Sequence, residues 1–286
     1  MSYYRVLGLE KEPFSTSPDP AFFYESKNHK AALANLMIEL RLRRGLSVVL
    51  GDVGTGKTTL GRKLIQMLRD REGFTFHLVL DPSFSSEELF LRSLTRTMGI
   101  EMPMPAPGLE DYKDALEQYL FRMGTQERTL VLVIDEAQKL NAKSLEILRM
   151  LLNFETNEHK LLQLVLLGQM ELMPVLGQMP NLLDRISMKT VIEPLDIDET
   201  RELVDFRLRH AGFSGRYDLI LDDAVREMHR ATRGYPRKIA MLCHKALKAA
   251  VMKNRAVVDR AIIEEIVSQE VRAGWWNASS LQKSSF

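Results

Sequence analysis

The chain has 286 residues, of which 45% are hydrophobic and 27% charged, so it can bury the core of an ordinary globular protein. A formal net charge of +1 gives no overall sign of a nucleic-acid partner, and the single cysteine, Cys243, excludes an internal disulfide. No apolar run reaches the roughly 20 residues that span a bilayer, and the amino terminus lacks an export signal, so we expect a cytoplasmic protein.

The first chemical motif lies in the segment LSVVLGDVGTGKTTLGRKLIQML, residues 46–68. Its pattern predicts a buried strand, a glycine-rich turn and an amphipathic helix, and in that context GxxxxGK[ST] indicates a phosphate-binding P-loop rather than a chance glycine loop. Inward-pointing N–H groups and the positive end of the helix macrodipole attract an anion. The predicted nucleotide-binding residues are Gly51, Asp52, Val53, Gly54, Thr55, Gly56, Lys57, Thr58 and Thr59.

The side chains of Lys57 and Thr58 indicate that the predicted ligand is a nucleoside triphosphate with a bound metal ion. The Lys57 ammonium would reach the β and γ phosphates, and the Thr58 hydroxyl would bind Mg²⁺. We therefore expect ATP and Mg²⁺ as the bound species.

A second motif, TLVLVIDEAQKL, covers residues 129–140. The continuous apolar run predicts a fully buried parallel strand, which we expect to adjoin the P-loop strand. At its end, Asp135 would hold Mg²⁺ through its water shell, and Glu136 would act as general base for an attacking water. Alone, this acidic pair could equally form a turn and a helix cap, but together with the P-loop it predicts Mg²⁺-dependent ATP hydrolysis.

The other segments alternate strand and helix up to Pro194, which predicts an α/β fold with a parallel five-stranded sheet flanked by helices. Further strands are expected at 74–80, 161–168 and 188–195. Helices are expected from Ser85, which has capping-box spacing with Glu88, at 109–124, at 142–155 after an Asn141 cap, and at 171–179. A proline-punctuated loop is expected at 102–108.

Four segments after Pro194 have helical periodicity and no strand signal of comparable strength. They predict an all-α lid domain. The expected domains are a leader and helix packed on the ATPase core (1–40), the α/β domain (41–195), the helical lid (196–272) and a tail (273–286). In this tail Trp275 and Trp276 either anchor on the lid or face a membrane or a partner.

Basic residues concentrate in the predicted lid. Between Arg226 and Arg255 there are nine of them against one acidic residue, Glu227. The segment is either a solvated basic face or a phosphate-binding surface, and the sequence leaves both interpretations open.

A P-loop domain followed by a helical lid resembles the AAA+ ATPases, and more closely the ExeA/GspA group of bacterial secretion ATPases and the short MshM-type pilus biogenesis ATPases. The similarity covers nearly the whole chain. Its most specific part is the leader FSTSPDPAFFYESKNHKAALANL; LVIDEAQKL, LVLLGQMEL and GYPRKI are similar to further motifs of the group. The longer members continue past the ATPase into a membrane span and a peptidoglycan-binding region, so direct cell-wall anchoring is not expected for this chain.

The resemblance implies roles for three more residues. Gln169 falls where AAA+ proteins keep a polar sensor of the γ-phosphate, although glutamine is not the commonest choice there. Arg237, after GYP, matches a second sensor that couples the lid to bound phosphate, with a lid-surface charge as the alternative. Arg185 lies where an arginine finger would reach into a neighbouring copy's site, unless it only pairs with Asp184 or another carboxylate.

Three functions follow as hypotheses. The first is an ATPase that forms a homo-oligomer through Arg185 and drives or regulates assembly of a secretion or type IV pilus-like system, in the cytoplasm or peripherally at the inner membrane. The second, suggested by ATPases of the TnsC and MuB kind and by the basic segment, is an ATP-dependent DNA-binding regulator of transposition. The third is an ATP-gated switch without significant hydrolysis, against which Glu136 argues.

Overall fold

The computed structural model describes residues 2–69, 73–102, 107–156 and 158–276. Part of the predicted loop, from 103 to 106, and the predicted tail from 277 onward lie outside the described residues.

Five parallel strands form a single sheet in the order β2-β3-β4-β1-β5. The strands are β1 (Leu46–Gly51), β2 (Phe74–Val79), β3 (Thr129–Ile134), β4 (Leu162–Gly168) and β5 (Ile186–Ile192). The three central strands β1, β3 and β4 are buried along their whole length, as continuous apolar runs predict for a sheet covered on both faces. The predicted five-stranded parallel sheet is confirmed.

Two expectations about the sheet are wrong. The strand that ends at Asp135 does not adjoin the P-loop strand, because β4 lies between β3 and β1. The fifth strand begins at Ile186, earlier than residue 188, and ends at Ile192 rather than continuing to 195. Pro194 has no N–H to donate to the β1 ladder, which disfavours extension of the strand through this position.

The described residues contain twelve α-helices. They are α1 (Tyr3–Val6), α2 (Lys27–Arg41), α3 (Lys57–Arg69), α4 (Glu87–Thr97), α5 (Leu109–Thr125), α6 (Ala142–Leu151), α7 (Leu172–Gly177), α8 (Pro180–Leu183), α9 (Ile197–His210), α10 (Asp222–Thr232), α11 (Pro236–Met252) and α12 (Arg260–Arg272). The four helices predicted after Pro194 are present as α9 to α12.

Helix starts follow local capping chemistry. Asn141 accepts a hydrogen bond from the Ser144 N–H at 2.8 Å, which is the predicted cap of α6. The cap predicted at Ser85 is wrong by one residue, because the Ser86 hydroxyl accepts the Leu89 N–H at 3.2 Å and starts α4. Helix α6 ends at Leu151, earlier than the predicted 155.

The chain divides into two compact units. The sheet unit comprises Lys27–Val53 and Lys57–Ile192, and the helical unit is the described part of Met1–Ser26, Gly54–Gly56 and Glu193–Phe286. In the sheet unit, alternate strand residues such as Val48 and Leu132 share a core with α4, α5 and α6. On the opposite face α3 lies close to β4, since a Cβ added at Gly61 would be 2.6 Å from Leu167 Cδ1.

Residues 1–40 are expected to pack together on the ATPase core, but the structure divides them between the two units. Leu9 and Phe14 are buried in the same core as α9 to α12, whereas α2, which begins at Lys27, contacts β5 in the sheet unit. Apolar side chains of the leader therefore complete the helical core. Trp276 packs against that core as well, while Trp275 is 78% exposed.

Gly234, in the turn before α11, is required on two grounds. Its φ is +73°, and a Cβ there would lie 2.0 Å from the carbonyl oxygen of Leu195, whose own N–H donates to the Gly234 carbonyl at 2.9 Å. The backbones of these two residues are thus in direct contact.

We expect Gly234→Ala to lower the free energy of unfolding by about 3 kcal/mol or more, because the methyl group displaces the Leu195 backbone. Gly274→Ala is the matched control, since Gly274 has nearly the same φ of +74° but no described atom within 4 Å of an added Cβ, and should cost only about 1 kcal/mol. Chemical denaturation measures both. Equal losses in the two variants would contradict the backbone contact.

Candidate functional site

The glycine-rich loop joins the buried strand β1 to the first turn of α3. Gly54 and Gly56 have φ values of +85° and +103°, conformations that side chains disfavour, and these allow the chain to turn back on itself before the helix. Helix α3 begins at Lys57, directly after the last of these glycines. The loop therefore has the strand–turn–helix context that the P-loop pattern requires.

The Lys57 ammonium group lies inside this loop. Its Nζ donates to the carbonyl oxygens of Gly51 at 2.7 Å and Asp52 at 2.9 Å, and the residue is 8% exposed. Burial lowers the pKa of Lys57, while the nearby carboxylates of Glu136 and Asp135 oppose that shift. A buried cation is thus positioned among backbone groups that surround an anion in P-loop proteins.

Asp135 and Thr58 are in direct contact. The Thr58 hydroxyl donates to Asp135 Oδ2 at 2.6 Å, so the first turn of α3 is joined to the end of β3. Asp135 is only 4% exposed, and burial raises its pKa, although the Thr58 hydroxyl and the Glu136 N–H, 3.0 Å from Oδ1, oppose the rise. The two residues predicted to bind the metal are therefore adjacent.

The oxygens of Thr58 and Asp135 fit the chemistry of Mg²⁺. Mg²⁺ prefers oxygen ligands, usually takes one or two carboxylates, and completes its shell with water and substrate phosphates. No group of three or more His, Cys, Asp or Glu able to hold a metal occurs among the described residues. Thr58 and Asp135 supply two oxygen donors, so this donor set suits a metal that arrives with a phosphate ligand.

Glu136 follows Asp135 in a left-handed backbone conformation, with φ 52° and ψ 36°. A non-glycine residue adopts this conformation at a cost of about 1–2 kcal/mol, which surrounding contacts must offset. Its Oε2 accepts from Gln138 Nε2 at 2.6 Å and, at the 3.5 Å limit, from Gln169 Nε2. The predicted base is therefore oriented by its own turn and by the end of β4.

Gln169 lies where the sequence places it, directly after β4, the strand that pairs with β3. Its backbone N–H donates to Gln138 Oε1 at 3.0 Å. Gln138 contacts both Glu136 and Gln169, and the sequence pattern predicts no role for it. A glutamine two positions after a catalytic-type glutamate was the only available signal, and spacing alone could not show which partners its amide meets.

Arg185 lies away from these residues. It directly precedes β5, so it is at the amino edge of the parallel sheet, whereas Asp135 and Gln169 follow the carboxyl ends of their strands. Its Nη1 donates to the Leu152 carbonyl at 3.4 Å, and among the described residues it forms no ion pair with Asp184. Its charge does act on another carboxylate, because the pKa of Glu155 is lowered mainly by Lys160 and also by Arg185. The structure does not bring Arg185 to the Lys57 cluster of its own chain.

Arg237 is in the first turn of α11, after Pro236, which has no N–H to leave unpaired. Within the helical unit, its backbone N–H donates to the Gly54 carbonyl at 3.2 Å. A Cβ at Gly54 would approach Arg237 Cβ to 2.9 Å, so the contact is close.

The basic segment between Arg226 and Arg255 is partly compensated by ion pairs. Four of its nine basic residues are ion-paired: Arg226 with Asp222, Arg230 with Glu227, Lys245 with Glu270 and Lys253 with Glu265. Three of the acidic partners lie outside the segment, so counting charges along it overstated its positive potential. This pairing favours the interpretation as a solvated face.

No α-helix among the described residues is long and apolar enough to cross a membrane.

The chain is similar to known proteins over most of its length. A family model described as "AAA domain" matches residues 40–176. The General secretion pathway protein A of Aeromonas hydrophila is 36% identical over 250 residues, which cover 87% of this chain and 45% of that protein. An uncharacterized HTH-type transcriptional regulator of Methanocaldococcus jannaschii is 26% identical over 185 residues, which cover 63% of this chain and 44% of the regulator.

The chain thus spans less than half the length of these two relatives. Among solved structures, Cdc6p from Pyrobaculum aerophilum matches with a TM-score of 0.70 over 88% of this chain and 71% of that one. At 20% identity, this likeness shows the fold alone.

The buried carboxyl group of Asp135 gives a prediction about stability. Because its pKa is raised in the folded protein, the wild-type chain should lose stability as pH rises from about 4, the unfolded value, through the folded pKa. Asp135→Asn removes that loss, so the metal- and nucleotide-free variant should gain stability relative to wild type between pH 4 and pH 7. Chemical denaturation at several pH values measures this.

The control is Asp81→Asn. Asp81 is exposed and its pKa is lowered, first by the Ser83 hydroxyl, so this substitution should leave the stability relative to wild type nearly constant between pH 4 and pH 7 and change it only below about pH 4. An Asp135→Asn variant that becomes less stable than wild type as pH rises would contradict the burial of an ionisable carboxyl group at this position.

Proposed function

The chain belongs to the AAA+ ATPases, and from this premise we propose that it binds ATP with Mg²⁺, hydrolyses it, and uses the cycle in a secretion-related assembly. One observation carries the proposal: Lys57, Thr58, Asp135 and Glu136, which come from two segments more than 70 residues apart, form a single cluster at the end of the sheet, in which Lys57 and Asp135 are buried and Thr58 and Glu136 half-buried. Such a cluster has the parts that phosphoryl transfer needs.

Binding would use the loop and its lysine. Lys57 would exchange the carbonyls of Gly51 and Asp52 for phosphate oxygens, which compensate its charge better in a buried site. The remaining loop residues, Asp52 to Thr59, would contribute backbone N–H groups. Thr58 and Asp135 would hold Mg²⁺, which supplies neutralisation of the charge on the phosphates.

Hydrolysis would depend on Glu136. Its carboxylate is the only one at the end of β3 besides Asp135, and as general base it would orient a water and take its proton. Gln169 lies beside it and could donate to the γ-phosphate through its amide. Arg237, bonded through its backbone to Gly54, would bring a second cation toward the phosphates.

Assembly would complete the site. Arg185 lies at the amino-terminal ends of the parallel strands, whereas Asp135 and Gln169 follow the carboxyl ends. Its guanidinium can therefore serve a phosphoryl group only in another copy of the chain. A finger supplied in this way makes hydrolysis depend on oligomer formation. We propose a homo-oligomer on this ground.

The secretion-related role rests on similarity to the Aeromonas hydrophila protein, 36% identical over 87% of this chain. Components of a secretion or type IV pilus-like machine at the inner membrane are the proposed partners, with a cytoplasmic or peripheral location. The alternative, ATP-dependent DNA binding in transposition, has weaker support because ion pairs occupy four of the nine basic residues in that segment. Duplex binding that requires ATP and weakens steeply with salt would favour that alternative.

We expect Glu136→Gln to bind Mg·ATP with nearly wild-type affinity but to hydrolyse it about 10²- to 10⁴-fold more slowly, because a neutral amide cannot accept the proton of the water. Lys57→Ala is the companion variant and should fail to bind. Calorimetry measures affinity, and phosphate release measures turnover. Wild-type ATP affinity in Lys57→Ala would refute the P-loop site, and wild-type turnover in Glu136→Gln would assign the base to another residue.

We expect Arg185→Ala to bind ATP normally but to lose the increase of specific activity with protein concentration, because the neighbour's γ-phosphate lacks its cation; fingers typically contribute about 10³- to 10⁵-fold. Mixing with Lys57→Ala, which retains Arg185, should restore activity. Arg149→Ala is the control, since Arg149 only pairs with Glu146 on the surface of α6. A concentration-independent, fully active Arg185→Ala enzyme would exclude action between copies.

A further inference from the structure

Gln138 occupies the short turn after β3 and uses both ends of its side-chain amide. Its Nε2 donates to Glu136 Oε2 at 2.6 Å, and its Oε1 accepts the backbone N–H of Gln169 at 3.0 Å. The orientation of the amide is unambiguous, because the acceptor-only carboxylate must face the NH₂ group and the backbone donor must face the oxygen. Gln138 therefore links the turn after β3 to the residue that follows β4.

The Glu136 carboxylate depends on this link. Glu136 directly precedes the short 3-10 helix of Ala137–Lys139 and has a left-handed backbone, and its Oε2 accepts hydrogen bonds from the side chains of Gln138 and Gln169. The bond from Gln138 Nε2 is short, at 2.6 Å, and charge-assisted, whereas the bond from Gln169 Nε2 is long, at 3.5 Å. Gln138 is thus the stronger of the two restraints on the carboxylate.

Close packing keeps the two ends of the link at a fixed separation. A Cβ added at Gly168 would lie 3.5 Å from the Gln138 backbone nitrogen and 3.6 Å from Ala137 Cβ, so the end of β4 contacts the turn directly. Ala137 is fully buried. A displacement of Gln169 would therefore reach Glu136 through the Gln138 amide.

We propose that Gln138 is a positioning residue for hydrolysis. It holds the Glu136 carboxylate in the orientation that activates water, and it couples that orientation to the position of Gln169. The inference rests on the proposed ATPase function. It assigns Gln138 no contact with ATP, so the residue should affect turnover and leave nucleotide binding unchanged.

The test uses Gln138→Met in the full chain, because methionine keeps the length and volume of glutamine but cannot form either hydrogen bond. We expect kcat to fall about tenfold or more, part of the 10²- to 10⁴-fold contribution of a positioned base, with Mg·ATP affinity unchanged within about twofold. Gln178→Met, at an exposed glutamine after α7, is the matched control and should behave as wild type.

A double-mutant cycle separates positioning from a general structural effect. If Gln138 acts through Glu136, adding Gln138→Met to Glu136→Gln should cause no further loss of kcat. A second readout needs no nucleotide: the Gln169 amide loses its acceptor in Gln138→Met, so its hydrogen exchange should accelerate about tenfold or more while amides of β3 keep their protection.

Each outcome decides the proposal. Wild-type kcat in Gln138→Met beside a slow Glu136→Gln enzyme would overturn this inference alone, as would an additive loss in the double variant or unchanged exchange at Gln169. A wild-type chain that binds Mg·ATP but never hydrolyses it would overturn the proposed function, and this inference with it.

Discussion

The hydrogen bond between Thr58 and Asp135 is the contact on which the site depends. It joins the first turn of α3 to the end of β3, although β4 lies between the strands that precede these two residues. The helix start must therefore lean across the end of β4. This geometry brings Lys57 near the acidic pair and leaves Gln169, at the end of the intervening strand, beside Glu136. A metal and a triphosphate would enter an arrangement that is already assembled.

Burial of charged groups makes the region around this contact energetically unfavourable. The Asp135 carboxyl and the Lys57 ammonium are both almost fully excluded from solvent, and burial shifts the pKa of each toward its neutral form. The surrounding opposite charges offset only part of that cost. The ligand-free site therefore lowers the free energy of unfolding. Binding of a magnesium triphosphate would raise it again, because Mg²⁺ and the phosphates carry charges opposite to those of Asp135 and Lys57.

Much of the fold could be predicted because the signals are local. Apolar runs of strand length, the glycine spacing of the loop and the Asn141 cap each involve a few consecutive residues, and all appear in the structure. The order of the strands could not be predicted, since pairing is decided by long-range contacts, and the intervening position of β4 was missed. The leader was expected on the ATPase core, but its Leu9 and Phe14 are buried with the C-terminal helices. Gln138 was missed for the same reason, because its two partners meet it only in the folded chain.

The similarity to a secretion protein covers 87% of this chain but less than half of that protein. The proposed chemistry therefore depends on the loop itself rather than on the identity of a partner. The most direct test of the central claim is a crystal structure with Mg²⁺ and a non-hydrolysable ATP analogue. We expect Lys57 Nζ to leave the Gly51 and Asp52 carbonyls for phosphate oxygens, and Thr58 Oγ1 to give up its hydrogen bond to Asp135 and bind the metal. A structure with the analogue bound elsewhere, and both of these hydrogen-bonding arrangements intact, would contradict the claim.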